Sequence, residues 1–396
     1  MAHTPFALWK SFGARALRSA YSIDDLRSMA RKRLPRAIFD FYDGGAEDER
    51  TLRANRAAFS RYAIAPYFLR DVSEVSLSTQ ILGQPAALPL VTAPTGAAGL
   101  GWHQADIAVA RAALRTGIPY SLSTAATTSI QDVAAAVPQA RKWFLAYILR
   151  GRAHTEKLIA RAETAGYEAL MVTVDLPVGG KRERDHRNDF ALPFRFTPKN
   201  VFDFALHPCW SLPMLFRGMP RTPNLNGMQL PSDASRPASS SVGRNYDPSF
   251  TWDDLRRMRD LWPRKLIIKG IMRASDAERA AALGCDAIIV SNHGGRQLDG
   301  GFASLDALAP IAAAVGRDME ILFDGSIRRG TDIVMALALG AKAVLVGRAV
   351  LYGVSAGGEA GAMQALGILR EELHRTMQLC GLSSLDQITP DLLRLD

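Results

Sequence analysis

Eight short apolar runs recur along the chain. Each is followed by a polar or glycine turn and then by an alanine-rich stretch of helical character. The runs are Leu88–Ala93, Pro119–Leu122, Trp143–Ile148, Ala169–Val174, Lys265–Lys269, Ala287–Val290, Glu320–Phe323 and Ala343–Val346. Most are apolar almost throughout, as expected of parallel strands covered on both faces. Between them Asp106–Thr116, Thr155–Ala165, Ala274–Leu283 and Thr331–Leu339 read as helices. With one exception the strand starts lie roughly 22 to 35 residues apart, the spacing of a βα unit. Eight such units predict an α/β fold, a (β/α)8 TIM barrel with N-terminal helices and a long insertion after strand 4.

The exception lies between Val174 and Lys265, about 90 residues apart, too long for a single crossover. Residues 200–243 mix Val201, Phe202, Phe204, Trp210, Met214, Leu215 and Phe216 with prolines, Arg217 and Arg221, and turn Ser-rich over 232–241. The expectation is an insertion over about 186–250 on the catalytic face, forming a mobile lid or a membrane-contacting patch. A packed subdomain over the barrel mouth is the alternative. Residues 1–23 carry Lys10, Arg15 and Arg18 and no acid, which fits a transit peptide, an unstructured extension or a first helix. A helix is expected to start at Ser22, with Ser22 as its cap and Asp24 and Asp25 in the first turn. Residues 386–396 read as a C-terminal tail.

Composition narrows the class. The chain has 396 residues, 48% of them hydrophobic and 22% charged, which excludes disorder of the whole chain. Its three cysteines, Cys209, Cys285 and Cys380, cannot build a disulfide framework and point to a reducing, cytoplasmic setting. No apolar run approaches the ~20 residues of a spanning helix. The net charge of +9 suits an anionic substrate, a phosphate cofactor or an anionic membrane face and does not call for nucleic acid.

In such barrels chemistry collects where the strands end. Just past the runs stand Pro94, Thr95 and Gly96; Ser123 and Thr124; Tyr147; Thr173 and Asp175; Lys269; Ser291 to Arg296; Asp324, Gly325 and Arg328; and Gly347 and Arg348. The last two turns suit a phosphate, because Gly325 and Gly347 let backbone amides approach while Arg328 and Arg348 add charge. Lys269, at a buried strand end, needs an anionic partner, which a flavin or a salt bridge would supply. His293 with Asp175 would form a general base whose imidazolium is stabilised, and Arg296 can grip a carboxylate with two nitrogens. Trp102 and His103, at a helix entry, read as packing residues, and His154 and His186 as exposed.

The stretch Ser291-Asn292-His293-Gly294-Gly295-Arg296-Gln297-Leu298-Asp299 resembles the signature of the FMN-dependent 2-hydroxy acid oxidases and dehydrogenases, the family of glycolate oxidase, L-lactate dehydrogenase and (S)-mandelate dehydrogenase. Further matches spread over about residues 24 to 385: Leu34-Pro35, Gly44 to Glu49, Pro94-Thr95-Gly96, Leu122-Ser123-Thr124, Arg182-Glu183-Arg184-Asp185, Ile268-Lys269-Gly270 and Gly347-Arg348. His207-Pro208-Cys209-Trp210-Ser211 is similar to the membrane-associated members. The resemblance implies that His293 takes the substrate hydroxyl proton while hydride leaves for FMN, and that Asp175 stabilises protonated His293. It implies that Arg296 and Arg182 bind the substrate carboxylate, Tyr147 the substrate oxygen, and that Lys269 sits at the flavin N1/O2 edge. Pro94, Thr95, Gly96, Ser123, Thr173 and Ser291 would contact the isoalloxazine or ribityl chain. Asp324, Gly325, Arg328, Gly347 and Arg348 would hold ribityl and phosphate. It also implies a 2-hydroxy acid of the lactate or mandelate type, a quinone or other electron acceptor, peripheral contact with the inner face of the cell membrane, and a homo-oligomer, a tetramer in related barrels. Gly96, where several oxidases carry alanine, leans towards a dehydrogenase. An oxidase that forms peroxide and a non-catalytic flavin scaffold are the alternatives.

Two positions depart from the pattern. Phe41 stands where the family has a tyrosine whose hydroxyl helps bind the substrate carboxylate. Leu145 stands where a glutamine meets the flavin pyrimidine edge, and Ala146 beside it is expected to leave room in the site. Tyr42 lies about 100° away around a helix and is a poor substitute for the missing hydroxyl.

Overall fold

Side chains alternate across a strand, so a strand buried on both faces feeds two separate cores. In the computed structural model, which describes residues 17–191, 196–226 and 245–395, all eight runs form strands. They are β1 (Leu90–Thr92), β2 (Tyr120–Ser123), β3 (Lys142–Ala146), β4 (Ala169–Thr173), β5 (Lys265–Ile271), β6 (Ala287–Val290), β7 (Glu320–Asp324) and β8 (Ala343–Val346). All neighbours pair in parallel, and β8 returns to β1 through Val344–Leu90, Leu345–Val91 and Val346–Thr92 to close the barrel. Val91, Leu145, Met171, Ile267, Ile289, Leu322 and Leu345 fill its interior. Their neighbours Leu90, Phe144, Leu170, Ile268, Ile288, Phe323 and Val344 pack outward against the helices. The unbroken apolar runs are therefore two superimposed period-2 patterns.

Among the described residues, α1 (Ile23–Arg33), α2 (Arg36–Asp43) and α3 (Arg50–Ala57) precede the barrel. α1 begins as expected: Ser22 Oγ accepts from Asp25 N at 3.1 Å, and the Asp25 carboxylate accepts from Ser22 N at 2.9 Å. The crossovers supply α4 (Ala105–Thr116), α5 (Ile130–Ala136), α6 (Arg152–Thr164), α7 (Glu183–Arg187), α8 (Pro198–Ala205), α9 (Pro208–Arg217), α10 (Trp252–Leu261), α11 (Ala274–Ala282), α12 (Ser304–Val315), α13 (Gly330–Ala338) and α14 (Arg348–Leu379). α14 is kinked at Gly357 and Gly358. No helix among the described residues is long and apolar enough to cross a membrane.

One end of the barrel is plugged. A hairpin of Thr79–Ile81 and Gln84–Ala86 covers the strand starts: Leu82 N donates to Glu320 Oε2 at 2.8 Å, and Arg141 to Ile81 O at 2.8 Å. Chemistry is left with the opposite mouth.

The described part of the insertion is docked against the barrel. Trp210 Nε1 donates to Leu100 O at 2.6 Å, Arg33 to Cys209 O at 3.2 Å, and Arg36 N to Asp203 Oδ2 at 2.7 Å. Yet α8 and α9 expose Phe202 (67%), Leu215 (77%) and Phe216 (82%) to solvent. The described part of the insertion is thus packed on one face, as the alternative expected, and apolar on the face left to solvent. The Ser-rich stretch 232–241 and residues 1–16 lie outside the described residues. The expected C-terminal tail is instead tied down: Leu393–Leu395 pairs antiparallel with Tyr62–Ile64. Trp102 packs as expected, under the Arg33 guanidinium at 4.5 Å. His154, expected to be exposed, is half-buried with Nε2 2.9 Å from Asn224 O, and His186 is half-buried too.

Candidate active site

The alternation that fills the barrel also arms its mouth. Thr173, Lys269, Ser291 and Asp324 each stand two residues beyond an interior apolar residue, namely Met171, Ile267, Ile289 and Leu322. All four therefore point inward, into one hydrogen-bonded ring. Lys269 Nζ donates to Ser291 Oγ at 2.8 Å and lies 3.1 Å from Asp324 Oδ2 and 3.9 Å from Asp175 Oδ2. Ser291 Oγ donates to Asp324 Oδ1 at 2.6 Å, and Thr173 Oγ1 to Asp175 Oδ1 at 2.6 Å. Burial works against the Lys269 charge, but Asp324 and Asp175 outweigh it and raise its pKa.

His293 follows in the β6–α12 loop with φ 58°, and Gly294 and Gly295 continue at 62° and 73°. This left-handed turn, with the His293 amide donating to Ser291 Oγ at 3.0 Å, folds the imidazole back over the barrel. Nδ1 lies 3.1 Å from each Asp175 oxygen. The carboxylate can only accept there, so Nδ1 carries the proton and Nε2 keeps its lone pair. Burial lowers the His293 pKa below its ordinary value despite the Asp175 charge, with Lys269 adding to the effect. Burial alone would raise the Asp175 pKa, but His293 and Lys269 together hold it well below the usual carboxylate range. Gly270, at φ 108°, makes room for this pair, since a Cβ there would stand 2.6 Å from the Asp175 Cβ.

The wall facing His293 is cationic. Arg296 donates through one nitrogen to Phe41 O at 2.8 Å and Gly44 O at 2.9 Å, and its guanidinium lies 5.3 Å from the Phe41 ring centre. Arg182 lies 5.6 Å from the same ring, with Nε 3.3 Å from Asp185 Oδ2. Burial pushes the Arg296 pKa down, and the Arg182 and Arg348 charges push it further. A bound anion would relieve all three. Phe41 itself stacks on Phe190 with centroids 4.5 Å apart. The Tyr42 hydroxyl turns elsewhere and donates to Ala97 O at 2.8 Å.

Pro94, Thr95, Gly96, Tyr147, Arg182, Lys269, His293, Arg296, Asp324, Gly325, Arg328, Gly347 and Arg348 all line one cavity at the strand C-terminal ends. Three expected flavin contacts are off its wall. Thr173 and Ser291 orient Asp175, Lys269 and Asp324 from behind, and Ser123 Oγ accepts from Ala125 N at 3.1 Å. The Arg348 side chain lines the cavity and is held by donating to Tyr42 O, Gly294 O and Gly44 O at 3.0, 2.9 and 2.8 Å. Ala146 belongs to the outer core, one position out of phase with Leu145, so its small side chain does not enlarge the site. Leu176, Phe190, Thr222 and Tyr246 also line the cavity. The sequence reading left them unassigned, because they come from loops with no strand register to follow.

A phosphorylated, anionic flavin fits these residues. Asp332 already closes the N-terminus of α13 by accepting from Arg328 N at 2.8 Å and Arg329 N at 3.0 Å. The N-terminus of α14, at Gly347, has no side-chain cap and opens beside the Gly325–Ile327 turn, as a phosphate site would. Lys269 and the Pro94–Ala97 segment line the same cavity and would hold the ring system.

Comparison with known proteins agrees with this chemistry. The family model for FMN-dependent dehydrogenases matches residues 30–395. The (S)-mandelate dehydrogenase of Pseudomonas putida is 42% identical over 374 residues, covering 94% of each chain. An L-lactate oxidase of Nostoc sp. is 42% identical and covers 96% of this chain and 100% of its own. The crystal structure of a monotopic membrane protein, (S)-mandelate dehydrogenase, superposes with a TM-score of 0.88 at 40% identity, covering 96% of this chain and 100% of that one. With a family model matched over residues 30–395 and a relative 42% identical over 94% of both chains, the chain belongs to the FMN-dependent dehydrogenase family.

Proposed function

We propose that this protein oxidises an L-2-hydroxy acid of the lactate or mandelate type to the 2-oxo acid and passes the electrons to a quinone or another acceptor. The observation that carries the reading is that His293, hydrogen-bonded to Asp175 behind it, lines the same cavity as Arg182 and Arg296. The two arginines would hold the substrate carboxylate, which fixes C2 beside the imidazole. His293 Nε2 would take the proton of the 2-hydroxyl as the C2–H bond breaks. Asp175, already ionised and hydrogen-bonded to Nδ1, would stabilise the imidazolium. Tyr147 would donate to the substrate oxygen. FMN, when bound, supplies the two-electron acceptor for the hydride that leaves C2. Lys269 and the Pro94–Gly96 segment would hold its ring, Asp324 its ribityl chain, and the Gly325 and Gly347 turns with Arg328 its phosphate.

The exposed apolar faces of α8 and α9, the net charge of +9 and the likeness to a monotopic membrane protein support peripheral association with the inner face of the cell membrane. An electron acceptor dissolved in the lipid would then lie within reach of the mouth. The test is an anaerobic titration of the purified protein with (S)-mandelate and L-lactate, read at the visible band of oxidised flavin. Bleaching by either acid is expected. A yellow protein that neither acid bleaches would overturn the reading. Slow recovery of the band on readmitting air, without peroxide in step with substrate, distinguishes a dehydrogenase from an oxidase.

A further inference from the structure

Tyr246 has no part in the scheme above, yet the fold fixes it over the site. The chain returns from the insertion through Asn245–Asp247, and this return is fastened to the segment beyond β3. Arg150 N donates to Asn245 O at 2.8 Å, and Asp247 N to Ile148 O at 3.0 Å. Between them Leu149 and Tyr246 form an antiparallel bridge, and Arg150 Nε donates to Tyr246 O at 3.2 Å. A third tie comes from Arg152, whose Nε lies 3.1 Å from Asp247 Oδ2. The backbone at Tyr246 is thus held directly beside Tyr147.

The consequence is a specific placement of the side chain. The Tyr246 ring meets the Tyr147 ring edge-on, with centroids 5.3 Å apart and planes at 75°. It shares the cavity wall with Phe41, Arg182, His293 and Arg296. Tyr246 is only 8% exposed, and it lines the cavity. A phenol in such a place ordinarily pairs its hydroxyl with a polar partner. Burial raises the Tyr246 pKa well above the usual tyrosine value, and the nearby charges of Arg182 and Arg296 do not reverse this, so the group keeps its proton as a donor. Phe41, on the same wall, has no hydroxyl to offer a carboxylate flanked by the two arginines.

We propose that Tyr246 is a substrate-contacting residue: its hydroxyl donates to the carboxylate held by Arg182 and Arg296, and its ring covers the side chain of the acid. This rests on the hydroxy acid reading given above. A hydrogen bond from a neutral donor to a charged acceptor is made in the ground state and kept through the reaction, so its loss falls on binding rather than on the chemical step.

The test compares wild-type holoenzyme with Tyr246→Phe, which keeps the ring and removes only the hydroxyl. Phenylacetate and propionate, the deoxy counterparts of mandelate and lactate, are titrated by calorimetry, because they carry the carboxylate and have nothing to oxidise. Tyr246→Phe is expected to weaken the carboxylate that binds wild type by about 10- to 100-fold, with FMN content and flavin spectrum unchanged. KM for the hydroxy acid rises by a similar factor, while kcat changes less than threefold. Carboxylate affinity within twofold of wild type would overturn the proposal. If neither hydroxy acid bleaches the wild-type flavin, the reaction assigned above falls, and the calorimetric comparison still decides the role of Tyr246.

Discussion

Asp175 holds Nδ1 of His293 with both carboxylate oxygens at 3.1 Å while lying 3.9 Å from Lys269 Nζ. One carboxylate thus faces both the Lys269 ammonium and the His293 imidazole. Asp175→Asn keeps an acceptor for Nδ1 and removes the charge. Anaerobic stopped-flow reduction should slow by ~10²–10³-fold. FMN should stay bound, because Lys269 retains Asp324 at 3.1 Å. A reduction rate within twofold of wild type would contradict the role given to Asp175.

The lowered His293 pKa fixes the sign of the pH dependence. As the proposed base, His293 would work only when unprotonated, and its protonation sets in below the ordinary histidine value of about 6.5. kcat/KM should therefore be flat above about pH 7 and fall on the acid side of 6.5. In Asp175→Asn the acid limb should move lower still, because the charge that favours imidazolium is gone. A wild-type limb centred above pH 7 would refute the assignment.

Gly270 tests the geometry separately from the charge. At φ 108° its missing Cβ would stand 2.6 Å from the Asp175 Cβ, whereas Gly284, at φ 82°, has nothing within 4 Å. Both substitutions to alanine should lower stability by about 1–2 kcal/mol through the left-handed backbone. Only Gly270→Ala should also slow flavin reduction, by pushing Asp175 away from His293. Thermal melts paired with stopped-flow traces check this, and equal reduction rates in the two variants would defeat it.

Phe202, Leu215 and Phe216 expose apolar surface on α8 and α9 that the barrel does not cover. Replacing all three by serine should abolish cosedimentation with anionic lipid vesicles and leave flavin reduction by a soluble hydroxy acid unchanged. Wild-type protein that stays in the supernatant would remove the basis for membrane contact.

The barrel was legible because its information is local. Each strand is a short apolar run, and the βα rhythm repeats. The polar ring at the mouth was legible for the same reason: Lys269, Ser291 and Asp324 continue the period-2 pattern of the strands that carry them. Errors came where that register was not applied, or where long-range contacts decide. Ala146 was read as facing the site, although a one-residue step from Leu145 reverses its direction. The carbonyls that hold Arg348 belong to α2 and to residues near 44 and 294, far away in sequence, so its hydrogen bonds have no local signal. Tyr246 was invisible as a site residue because its place depends on a backbone pairing with Leu149 across about 100 residues.

The left-handed backbone at His293 has a consequence for how this position can change over time. Histidine is among the few side chains, with asparagine and aspartate, that enter this conformation readily, and β-branched residues scarcely do. The base proposed here and the shape of its loop are thus selected together. A lineage that drifts to asparagine or glycine here would keep the fold and the flavin and lose the reaction, leaving an intact but silent paralogue. A drift to valine or isoleucine would strain the loop itself. The position therefore favours loss of activity with survival of the scaffold, and such a scaffold is open to recruitment for binding alone.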